Sequence, residues 1–144
     1  YLYSLYSPQM HDSINRDNDG QIPYWAVHFR RLEPHITAAL EYSQGTHTAE
    51  DVLNQISTGD LQLWPGKDSV VVTQIITFPR KKVLHVFLAG GNQKELKEMD
   101  PYVVQWAKEQ GCTALTFTGR MGWARSEMRE IGFETTHVMM SKEI

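Results

Sequence analysis

Apolar positions along the chain form blocks whose spacing shifts from three or four residues to two and back, with turn residues between them. Leu32, Ile36, Ala39 and Leu40 recur at helical spacing. Glu33 and Pro34 suit a first helical turn, and Gly45 follows as a stop. A second amphipathic helix starts at Thr48, with Glu50 and Asp51 near its N-terminus, Val52, Leu53 and Ile56 as its apolar face, and Gly59 at its end. The period then becomes that of strands. Leu61, Leu63 and Trp64 make a short one, closed by the turn Pro65-Gly66-Lys67-Asp68. Val70 to Phe78 is β-branched and stops at Pro79, and Arg80-Lys81-Lys82 turns the chain into Val83 to Ala89. These short connections predict an antiparallel meander.

Beyond Gly90-Gly91 the pattern is helical again. Asp100-Pro101 reads as a cap and a first helical residue. It predicts a short helix from Gln93 to Met99, a break, and a helix from Pro101 to Gln110 that buries Val103, Val104, Trp106 and Ala107. A strand over Ala114 to Thr118, a helix over Gly122 to Glu130 ended by Gly132, and a last strand over Thr135 to Met140 complete the chain. The predicted fold class is α/β (α+β): a mixed, mostly antiparallel sheet with helices on its faces. The strands joined through the Pro101 helix should run parallel.

Tyr1 to Gln21 stands apart, with Tyr1, Tyr3 and Tyr6 in no period and a polar run from Asp12 to Gly20. It reads as an arm (1–21) before a domain (22–144), with tyrosines suited to docking on a partner and ordered only against a second chain. At 144 residues the chain can bury one core unaided. A formal net charge of -3 argues against a nucleic-acid binder, which carries a basic excess. One cysteine, Cys112, excludes an internal disulfide and fits a reducing compartment. No apolar run reaches the roughly 18 residues of a membrane span, so a cytoplasmic protein is expected.

Chemistry concentrates on the third strand and on the turns and helices downstream of it. Glycines in Gly90-Gly91 admit close backbone approach to an anion, and the amides of the next helix donate to phosphate oxygens. A plain chain turn explains the same dipeptide. His85 has an ordinary pKa suited to taking a proton from an amine, and it also alternates in phase with Val83 and Phe87 as a core histidine would. Arg120, between Gly119 and Gly122, could bind phosphate or a carboxylate beside Trp123, or tie its loop to a helix end.

The order of elements resembles the GNAT acetyltransferase superfamily, in particular the small GNAT-like proteins of tailed bacteriophages. The motifs are Leu88-Ala89-Gly90-Gly91, Trp106-Ala107 with Gly111-Cys112, and Gly119-Arg120-Met121-Gly122-Trp123. The resemblance covers about Leu32 to Ile144. It implies a central parallel pair splayed apart and acetyl-coenzyme A (acetyl-CoA) between the two strands. The pantetheine would pair with the backbone of Val86 to Ala89, including Leu88, and the pyrophosphate would meet the amides of Gly90, Gly91, Asn92 and Gln93. Arg120 and Trp123 would lie beside the same cofactor, and His85 would be the base for an unknown amine. Where the superfamily has a glycine-rich pyrophosphate motif this chain has Asn92 to Lys97, and Met121 and Met128 stand at the positions of an Asn and of a Tyr that protonates the leaving thiolate. The resemblance supports two expectations: an acetyl-CoA-dependent N-acetyltransferase of phage type, or a non-catalytic module. The module would be a virion component or a binder of a host protein, and a phage protein of either kind would lie in the host cytoplasm or the virion.

Overall fold

A computed structural model of the chain describes residues 5–9, 24–118 and 127–144. The element order is α1 (Tyr24–Leu40), α2 (Ala49–Thr58), β1 (Gln62–Pro65), β2 (Ser69–Thr77), β3 (Lys82–Gly91), α3 (Gln93–Glu109), β4 (Ala114–Phe117) and a 3-10 turn over Glu127–Ile131. The four strands form one sheet in the order β1-β2-β3-β4. The first two pairs are antiparallel, and β3 pairs with β4 in parallel. That parallel pairing requires the α3 crossover, as the spacing predicted.

Each face of the sheet carries its own core. On one side α1 and α2 place Phe29, Leu32, Ile36, Val52 and Ile56 against Leu63, Val70, Val72 and Leu88. On the other side α3 places Leu96, Met99, Val103 and Ala107 against Trp64, Val71, Leu84 and Val86. Ile36, Val52, Ile56 and Leu84 are fully buried, each contributing roughly 1.5–3 kcal/mol. The α2 start is capped reciprocally. The Thr48 hydroxyl accepts from the Asp51 amide, and the Asp51 carboxylate accepts from the Thr48 amide at 2.9 Å.

Four expectations need correction. The first helix begins at Tyr24, not near Leu32, because Trp25, His28 and Phe29 extend the same buried stripe upstream. Pro34 therefore lies inside the helix. Likewise α3 is continuous through Pro101. An interior proline costs about 3 kcal/mol of helix propensity. The stripe Leu96, Met99, Val103 and Ala107 straddles Pro101, and its burial offsets that cost. Residues 133–140 form no strand; Val138, Met139 and Met140 are exposed, with no strand partner among the described residues. The helix expected over Gly122 to Glu130 is a 3-10 turn from Glu127 onward, its earlier part lying outside the described residues.

The arm also differs from expectation where it is described. Gln9 is buried and pairs with Leu63 in an antiparallel bridge, its amide donating to the Leu63 carbonyl at 2.7 Å. The Tyr6 amide donates to the Pro65 carbonyl at 3.0 Å. Residues 5–9 are thus ordered against β1 of their own domain, not only against a second chain. Tyr1 and Tyr3 lie outside the described residues.

Candidate functional site

The sheet is regular until the middle of β3. Thr73 pairs with Val86 and Val72 with Leu88, which leaves Phe87 as an extra residue on β3. A bulge of this kind bends a strand and re-aims its side chains. Its effect is visible in the cores. Leu84, Val86 and Ala89 belong to the α3 side, whereas Phe87 and Leu88 both pack on the α1–α2 side. Among the described residues, pairing with β4 runs from Val83↔Ala114 to Val86↔Phe117, and beyond it Phe87 to Gly91 are paired with β2.

Two different environments flank this parting. On the α3 side lies a narrow apolar cavity walled by Val86, Val103, Leu115, Phe117 and Met128, with Asp100 among them. On the opposite face His85 is half-buried, and its Nδ1 lies 2.8 Å from the Thr116 hydroxyl. Burial pushes the His85 pKa below its ordinary value, which favours the neutral imidazole. The His47 ring lies 4.6 Å from that of Phe87, so a second imidazole borders the bulge.

The glycines after the bulge have packing reasons of their own. A Cβ on Gly90 would sit 3.1 Å from the His35 carbonyl of α1. One on Gly91 would collide with the Asp68 carbonyl and with Ser69, and its φ of +106° is itself glycine's territory. Asn92 caps α3, its side chain accepting from the Glu95 amide at 3.1 Å, while its own amide donates to the Ser69 hydroxyl at 2.9 Å. The strand passes into the helix through this single cap, with no separate phosphate loop between them. Gln93 and Lys94 lie in the first turn of α3, where helix amides lack intrahelical acceptors.

Sequence reasoning missed two residues at this site. Thr116 holds His85, and Asp100 enters the cavity rather than capping a new helix. Asp100 lies one turn beyond Leu96 and just before Val103, an acid beside an apolar stripe, and that was its available signal. Arg120 and Trp123 lie outside the described residues. Cys112 is a buried core residue whose thiol pKa is pushed up by that burial, so it is no ready nucleophile.

Several solved structures share this fold. Glucosamine-6-phosphate N-acetyltransferase from Arabidopsis thaliana superposes with a TM-score of 0.56 at 16% identity, over 81% of this chain and 92% of that one. An acetyltransferase from Trypanosoma brucei gives 0.57 at 11% identity, over 82% and 92%. A GNAT family acetyltransferase from Staphylococcus aureus gives 0.52 at 10%, over 82% and 93%. The fold is that of the GNAT acetyltransferases. At these identities the likeness carries the fold alone. No protein-family model and no curated protein sequence matches the chain.

The end of the β3–β4 pairing places a stretch of β3 backbone beside an apolar wall. Phe87 to Gly91 have no β4 neighbour among the described residues, and an apolar cavity lies alongside, lined by Val86 and Ala89 of the same strand. At the β3–α3 junction Gly90 and Gly91 are needed for packing, and the Asn92 amide is engaged by Ser69.

Proposed function

We propose that this protein is an N-acetyltransferase that moves the acetyl group of acetyl-CoA to an amine. The observation carrying this reading is the parallel pair whose pairing, among the described residues, stops at a bulge beside an apolar cavity. Acetyl-CoA, when bound, supplies an activated acyl group as a thioester. The backbone of Val86, Leu88 and Ala89 would hold its pantetheine, with Gly90, Gly91, Asn92 and Gln93 beside the phosphates and Arg120 and Trp123 nearby.

His85, kept neutral by burial and held by Thr116, would accept the proton of the attacking amine. Amides near Leu88, turned by the bulge, would stabilise charge developing on the carbonyl oxygen. Alignment of the two reactants supplies much of the remaining acceleration.

A thermal-shift titration with acetyl-CoA tests this directly. At about 100 times its dissociation constant the ligand should add roughly 2.7 kcal/mol of stability. His85→Ala should keep that shift and lower turnover about 10²-fold or more. Absence of any shift at millimolar acetyl-CoA overturns the assignment.

The narrower likeness to phage GNAT-like proteins rests on the motifs between Leu88 and Trp123, and it adds the infected cell or the virion as the setting. The second reading, a non-catalytic module in a virion or on a host protein, draws on Met128. That residue lines the cavity and has no proton to give.

A further inference from the structure

Among the described residues lining the apolar cavity, Asp100 is the one with an ionisable side chain. From β3 and β4 only apolar groups face it, Val86, Leu115 and Phe117 among them. On α3 the nearest base, Lys97, binds Glu130 of the 3-10 turn at 2.8 Å. No hydrogen bond or ion pair reaches the Asp100 carboxyl among the described residues. A half-buried carboxylate against an apolar wall, with no such partner, is disfavoured in its charged form.

Acyl transfer from a thioester creates a need that such a group meets. The sulfur leaves with the electron pair of the broken bond and must acquire a proton. We propose that Asp100 is the general acid of this site and protonates the departing sulfur. This inference rests on the acyltransferase assignment above. The bond from amine nitrogen to carbonyl carbon forms, the carbon–sulfur bond breaks, and its electron pair goes to sulfur. Asp100 gives its proton to that sulfur, while His85 takes one proton from the nitrogen. Solvent then returns a proton to Asp100 and removes one from His85, so charge and protons balance over the cycle.

The environment favours both roles. Burial raises the Asp100 pKa above its ordinary value and lowers that of His85. Acid and base are thereby drawn toward each other on the pH scale, which enlarges the fraction of protein carrying a protonated acid with a neutral base.

Asp100→Asn keeps the shape and removes the proton. With acetyl-CoA as donor and hydroxylamine as a small acceptor, thiol release by the variant should fall about 10²-fold in kcat. The acetyl-CoA thermal shift should persist, and the decline of kcat with rising pH expected of the wild type should be absent from the variant. An independent readout needs no ligand: carboxyl NMR of the free protein should show Asp100 titrating above an ordinary aspartate. Full kcat in the variant, or a wild-type carboxyl titrating at or below the ordinary value, overturns Asp100 as the acid and leaves the acyltransferase assignment standing. A wild type that neither shifts with acetyl-CoA nor releases thiol overturns both.

Discussion

Glu95 and Asp100 sit five residues apart on α3, so they point to different sides of one helix and meet opposite treatment. Glu95 faces the β1–β2 turn. Its carboxylate accepts from the Lys67 amide at 2.7 Å, the Asp68 amide at 2.9 Å and the Tyr6 hydroxyl at 2.9 Å. Burial alone would raise its pKa, but these bonds and one from Ser69 outweigh that, and the carboxyl titrates below its ordinary value. Asp100 has burial and no such donors, so its pKa moves up. One acid is a latch that joins helix, turn and N-terminal segment. The other has no donor among the described residues, and in the proposal above it carries a proton. Burial by itself does not distinguish a structural carboxylate from a chemical one; the donors around it do.

The largest effect on stability should come from removing the latch. Glu95→Ala leaves two turn amides and the Tyr6 hydroxyl without their acceptor, a loss of about 2–3 kcal/mol by urea denaturation. The contribution also has a definite pH dependence. Because the folded pKa lies below the unfolded value of about 4.3, it is fully present above that pH and disappears as pH falls through the folded pKa. Glu95→Gln should therefore flatten the acid limb of the stability profile. An unchanged limb would mean that other carboxylates carry it.

Much of the fold was legible because local chemistry agreed with the global pattern. Thr48 and Asp51 form the expected cap, and the β-branched run after Asp68 forms β2 with its end at Thr77. What failed was decided by partners distant in sequence. Pro34 and Pro101 carry helix-breaking signals, yet each lies within a stripe whose burial outweighs the lost hydrogen bond. Thr135 to Met140 has strand-forming residue types, but composition says what a segment could bury, not whether a neighbour awaits it. At the proposed site, the strand that carries His85 was legible. The bulge at Phe87 was not, since it arises from the register between β2 and β3. Glu95 was equally hidden, because its ligands come from Lys67, Asp68 and Tyr6.

A smaller change sharpens the latch itself. Tyr6 has a backbone φ of 57°, and its ring lies 5.4 Å from that of Tyr102. Burial first, then its bond to Glu95, pushes its pKa up to about 12, so it remains a neutral donor at any ordinary pH. Tyr6→Phe keeps the ring contact and removes only the donated bond. A loss of about 1 kcal/mol is expected, well below that of Glu95→Ala. Equal losses in the two variants would place the latch energy in Tyr6 rather than in the turn amides.

The smallest effect should have the opposite sign. Asp100 has a folded pKa above its unfolded value of about 3.9, so the folded state binds more protons across that interval. Its contribution is most favourable below the unfolded pKa and is lost as pH rises through the folded one. At neutral pH the ionised carboxylate in the apolar wall is therefore a net cost. Asp100→Asn removes the charge while keeping the volume, and at pH 7 it should stabilise the free protein by about 0.5 kcal/mol. The gain should vanish near pH 3, where the wild-type group is protonated and the two side chains become near equivalents. A residue kept for stability would show the reverse, a variant weaker at pH 7 than at pH 3. A gain in stability combined with a loss in turnover is the signature of a group held at the site for its chemistry.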